Sequence, residues 1–208
     1  MIPVLSLITL PLQYLYTHLH EFGHAIAALA TGGSEVVIRV FANGSGATEA
    51  VGGVPLFISP AGYIGATVFG SLILYMSRTA AGARRALILT AIVLGAGLIL
   101  WIRGDLVGVT SAVLGALILW LCAQRLKGDG LQVTGQFLGA YLSLASLQAV
   151  FDTFGFRGEA AGENDAQILE RITGIPASLS SLVWAGVSVA AVVTMLRRSW
   201  LDGSHPTR

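Results

Sequence analysis

LVGVTSAVLGALILWLCAQ, residues 106–124, contains no Asp, Glu, Lys or Arg. A membrane-spanning helix needs about 20 mostly apolar residues, within a range of about 17–25. Five further charge-free runs accompany this one, at residues 1–20, 50–77, 86–102, 130–151 and 172–196. All reach that length, with 86–102 at its lower limit. Short polar joints separate the later runs: Arg78 to Arg85, Arg103 to Asp105, and Arg125 to Asp129. The pattern predicts an all-α polytopic membrane protein, a bundle of about six transmembrane helices in one domain over residues 1–208. Residues 86–124 have an alternative, one helical hairpin that only partly crosses.

Composition agrees with a lipid solvent. The 208 residues are 54% hydrophobic and 11% charged, against about 25% charged in soluble domains. So few charges exclude a soluble enzyme and a disordered chain. The net charge of +1 offers no basic surface to nucleic acid. Glycines, 26 in all, fall partly in rows at four-residue spacing: Gly62, Ala66 and Gly70; Gly104, Gly108 and Ala112; Gly135, Gly139 and Ser143. Such rows let helices approach closely in lipid. The single cysteine, Cys122, lies in an apolar stretch and excludes an intrachain disulfide.

Two stretches depart from the membrane pattern. Gly32-Gly33 ends the first helix. Glu35 to Phe41 then reads as a strand, Asn43-Gly-Ser-Gly46 as a turn and Ala47 to Val51 as a return strand, a β-hairpin over 34–52. Residues 153–174 form the longest polar loop, with Asn164 as a helix cap ahead of Asp165. A polar tail occupies 197–208. Counting arginines and lysines by side gives eight with the termini against four opposite, which favours cytoplasmic termini.

Chemistry concentrates in His20-Glu21-Phe22-Gly23-His24, an H-E-x-x-H string. Positions i and i+4 share a helix face, so both imidazoles reach one zinc ion with the glutamate beside them. Composition alone, with 4 His in 208 residues, predicts about 0.002 occurrences of the string. Ionisable groups inside an apolar segment default to a functional site. His18 lies on another face and reads as a packing or supporting group. A catalytic zinc site holds three protein ligands. His205 lies in the tail, Cys122 among packing residues, and Asp105 in a joint beside Arg103, as an interfacial ion pair. Asp152, which closes the charge-free run 130–151, is the first choice for third ligand. Asp165, at a helix start favoured by the helix dipole, is the alternative.

The chain resembles the site-2 proteases, in their short branch without a PDZ module. The likeness rests on His20-Glu21-Phe22-Gly23-His24-Ala25, Thr31-Gly32-Gly33 and the hairpin after it, and Ser59-Pro60-Ala61-Gly62-Tyr63-Ile64-Gly65. Asn164-Asp165-Ala166 and Thr173-Gly174-Ile175-Pro176 extend it, so that it covers roughly residues 14–177. The resemblance implies an intramembrane zinc metalloprotease of a bacterial cell membrane, integral and multi-pass, that cuts transmembrane segments of other proteins. It implies His20 and His24 as Zn²⁺ ligands and Glu21 as the catalytic acid–base. The family's usual third ligand is an aspartate in an Asn-x-x-Pro…Asp-Gly setting, and Asp152 follows Ala149-Val150-Phe151 instead. In the better-known relatives the zinc helix also points the opposite way to the arginine count. The partners implied are a membrane-protein substrate and the lipid bilayer; no oligomeric state is specified. An extended substrate could pair with the strand at 35–41, or the hairpin could be passive. Two other classes fit parts of the pattern. A zinc-binding scaffold or sensor needs both histidines and not Glu21. A transporter normally shows paired half-repeats, absent from this sequence.

Overall fold

The computed structural model describes residues 3–103, 105–145 and 163–203. In chain order it holds α1 (Pro3–Ala30), β1 (Ser34–Val40), β2 (Gly46–Val51), α2 (Pro55–Met76), α3 (Ala80–Leu100), α4 (Leu106–Arg125), α5 (Gly128–Ala145), α6 (Asp165–Thr173) and α7 (Ala177–Gly203). The helices end where the polar joints fall. Thr79 caps α3 by accepting from the Gly82 N–H, and Asp105 caps α4 by accepting from the Gly108 N–H.

Four helices among the described residues are long and apolar enough to cross a membrane: α2, α3, α4 and residues 177–198 of α7. This corrects the expected six. The run at 1–20 belongs to α1, whose length includes Thr17, His18, His20, Glu21 and His24. Those groups serve the interior and lower its apolarity. The run at 130–151 is described only as far as Ala145. There α5 spends polar side chains on the end of α2: Gln132 donates to the Arg78 carbonyl at 2.5 Å and Gln136 to the Ser77 carbonyl at 3.3 Å. Counting charges alone misses such uncharged polar positions. The 86–124 stretch forms two antiparallel helices, each of spanning length. Helix α7 continues to Gly203, into the polar stretch that begins at residue 197.

Helix α2 is the hub, packed against α1, α5 and α7. The small-residue rows explain the close packing. A Cβ on Gly139 of α5 would lie 2.7 Å from the Gly70 carbonyl of α2. Ala66 is fully buried between them. On the α7 side, Tyr63 stacks on Trp184 and Thr67 donates to Ser188 at 3.1 Å, so α7 runs parallel to α2. The outer faces expose Leu106, Leu114, Ile118 and Val183, as lipid-facing positions should. Arg78, Arg84, Arg85, Arg125 and Lys127 lie at one end of the bundle, and Arg197 and Arg198 of α7 join them there.

The hairpin folds back along α1. Tyr14 donates to the Ala42 carbonyl at 3.0 Å and Thr17 to the Gly44 carbonyl at 2.7 Å. Its strands are antiparallel, with Ile38 opposite Thr48 and Val40 opposite Gly46. Val36, Ile38 and Val40 are buried, the period-2 face of a half-buried strand. Strand β1 is also engaged on its second edge. Ile38 donates its N–H to the Trp101 carbonyl at 2.9 Å and accepts from the Arg103 N–H at 3.2 Å. Asp105 strengthens this joint by accepting from the Val40 N–H at 3.2 Å. The expectation of an Asp105–Arg103 pair gives way here, because the Asp105 carboxylate is occupied by backbone donors.

Candidate metal centre

The site assembles from α1, α2, β2 and α6. His20 and His24, one turn apart on α1, turn their Nε2 atoms to each other at 3.0 Å. Asp165 Oδ2 of α6 lies 3.1 Å from His20 Nε2 and 3.3 Å from His24 Nε2. Tetrahedral zinc with bonds of about 2.0–2.1 Å separates its ligand atoms by about 3.3 Å. The three donor atoms therefore fit one zinc ion, and the set of two imidazoles and one carboxylate suits it chemically. Both imidazoles are buried.

Each donor is held by the local fold. His24 Nδ1–H donates to the Ile58 carbonyl of α2 at 2.7 Å, which leaves the Nε2 lone pair facing Asp165. Such outer bonds fix both the tautomer and the ring orientation of a metal-binding histidine. His20 is packed edge-on against Tyr63, with ring centres 4.5 Å apart. Asp165 is the first residue of α6. The helix begins with a capping box: Asn164 accepts from the Gln167 N–H at 3.0 Å, and Gln167 accepts from the Asn164 N–H at 2.9 Å. Gly174, at φ 77°, ends it. Ala166 and Leu169 are buried with Ala177, Trp184, Tyr63 and Ile64, which presses α6 onto α2 and α7. Burial alone would raise the Asp165 carboxyl. When the two imidazoles are protonated, the attraction of His24 and hydrogen bonds from both histidines outweigh it and hold the group ionised, below the usual carboxylate range.

Two glycines make the room. Gly23 lets α1 meet the Ala61 carbonyl of α2, where a Cβ would collide with backbone. A Cβ on Gly62 would lie 2.5 Å from His24 Nε2 and 2.6 Å from His20 Nε2. It would fill the space on which the donors converge. Gly62→Ala should therefore strip zinc from the purified protein, measured as metal per chain. A variant with full metal would show that the donors converge elsewhere.

Glu21 is buried beside the histidines, and its carboxylate is within electrostatic reach of His24. Thr48 of β2 donates to Glu21 Oε2 at 2.7 Å and lies 3.1 Å from the Glu21 carbonyl. His18 points away, towards α4, with Nε2 2.9 Å from Ser111 Oγ. It is outside the converging group, and so are Cys122 and Asp105. Asp152 and His205 lie outside the described residues. Thr48, Ile58 and Gly62 were not singled out as site residues from the sequence. Thr48 and Ile58 contribute through single hydrogen bonds to α1, and no local spacing signals those.

Comparison with protein families finds a match to the Peptidase M50B-like family over residues 2–195. The chain belongs to that family and is a site-2 protease family member. Its apolar helices and this membership make it a multi-pass membrane protein. Neither the curated proteins nor the solved structures contain a match.

Proposed function

We propose that this protein is an intramembrane zinc metalloendopeptidase that hydrolyses peptide bonds in or near transmembrane segments of other membrane proteins. The observation that carries this reading is the convergence of His20, His24 and Asp165 to within 3.0–3.3 Å, with Glu21 buried beside them. His20, His24 and Asp165 would hold the metal. Zinc bound there would supply a Lewis acid for the scissile carbonyl and lower the pKa of water to about 7. Glu21 takes the proton of the attacking water and delivers it to the leaving amine. Family membership supports a peptidase; the donor set supports zinc.

A substrate helix shields its own carbonyls, so cleavage needs an extended segment. Strand β1 is flanked by β2 on one edge and by residues 101–103 on the other. The edge for an incoming strand is therefore that of β2, in place of the edge expected on residues 35–41. On the positive-inside rule the cation-rich end of the bundle faces the cytoplasm.

The test is cleavage of a reporter with a transmembrane segment by purified protein in liposomes. Cleavage should stop with a zinc chelator and return when zinc is added back. Protein that retains no zinc, or cleavage indifferent to chelation, would sink the proposal.

A further inference from the structure

The metal donors and the general base rest on different parts of the fold. His24 is oriented by Ile58 of α2, and Asp165 is delivered by α6. Glu21 takes its side-chain hydrogen bond from neither. Oε2 accepts from Thr48 of β2 at 2.7 Å, and Oε1 faces Gly46 of the same strand, where an added Cβ would come within 2.6 Å. Gly46 and Thr48 are two apart, so both face α1. That face of the hairpin is held in place by the buried Ile38 and Val40 opposite them.

We propose that Thr48 is a positioning residue for hydrolysis: its hydroxyl holds the Glu21 carboxylate in the place from which it handles the proton. This rests on the peptidase reading above. Three side-chain torsions separate the Glu21 carboxylate from its backbone, so without an anchor it samples several positions. A hydroxyl donating to a carboxylate makes a charge-assisted bond, stronger than one between neutral groups. The missing side chain at Gly46 completes the slot, since a Cβ there would meet Glu21 Oε1. Strand β2 also carries the edge assigned to the substrate, so one short strand supports both the base and the segment it acts on.

Thr48→Val removes the hydroxyl at nearly constant shape and keeps a residue suited to a strand. Its kcat should fall about 10- to 100-fold, the cost of a small misplacement of a reacting group. KM should stay within about twofold, since the backbone edge of β2 is unchanged. Zinc content should match wild type. Thr48→Ser should restore kcat to within about threefold. An infrared carboxylate band, assigned by its loss in Glu21→Gln, should shift in Thr48→Val and not in Thr48→Ser, with or without metal. If Thr48→Val does not fold, Thr48→Ala takes its place with the same expectations. Full kcat without the hydroxyl, zinc lost in step with activity, or Thr48→Ser as impaired as Thr48→Val would each overturn the proposal. Failure of the wild-type protein to bind zinc or cleave would instead remove the peptidase reading beneath it.

Discussion

Glu21→Gln should lower cleavage by about 10²–10⁴-fold, the usual contribution of a general acid–base group, while the protein keeps its zinc. The substitution is isosteric, so the space beside His20 and His24 is unchanged. Thr48 still finds an oxygen acceptor in the amide, so the hairpin contact survives. What disappears is a group able to accept a proton at neutral pH. The three metal donors are untouched, because Glu21 is not among the atoms that converge. Cleavage rate and metal per chain, measured on one preparation, read the two functions separately. Unchanged cleavage would leave a zinc-binding scaffold as the better description. Loss of metal would make Glu21 a ligand rather than a base.

Asp165→Asn should weaken zinc binding by more than about 100-fold, beyond the 10–100-fold range typical of outer-shell changes. Asn keeps the shape of the first turn of α6 and leaves the Asn164–Gln167 capping box in place. Losing the charge at the helix start costs only about 0.3–1 kcal/mol of helix stability. The effect therefore falls on the metal rather than on the fold. Asp152→Asn should retain zinc and cleavage. Metal affinity by competition with a chromophoric chelator decides between the two aspartates. Full affinity in Asp165→Asn, with loss in Asp152→Asn, would reverse the assignment.

Much of the architecture is legible in where charges do not occur. Helix ends coincide with Arg78, Asp105, Arg125 and their neighbours because a charge is costly in lipid and cheap at its edge. The hairpin is legible from its alternation and its Asn43-Gly-Ser-Gly46 turn. The number of spans is not, since Thr, His and Gln on α1 and α5 carry no formal charge yet reduce apolarity. The H-E-x-x-H string is local, and one helical turn brings its histidines together. The proposed third donor, Asp165, is a different problem. Asp152 stood out by closing a charge-free run, a statement about depth. Asp165 reaches the histidines through the capping box that places it and through Ala166 and Leu169, which dock α6 on α2. The cap can be read locally, but the docking partner cannot. Thr48 is still less visible, because a threonine in a strand is ordinary until Glu21 is seen opposite its hydroxyl.

The histidines and Asp165 that meet in space are 145 and 141 positions apart along the chain. At about 5–20 residues per second, a ribosome adds Asp165 roughly 7–30 s after His20. Until then the nascent chain holds two histidines and a glutamate without the carboxylate beside them. Helix α6 needs Trp184 of α7 to seat it, which delays closure further. On the proposed function, a peptidase assembled in this order would lack its third metal donor while its first helices enter the bilayer. On the proposed reading, its metal site closes only when the last quarter of the chain is in place.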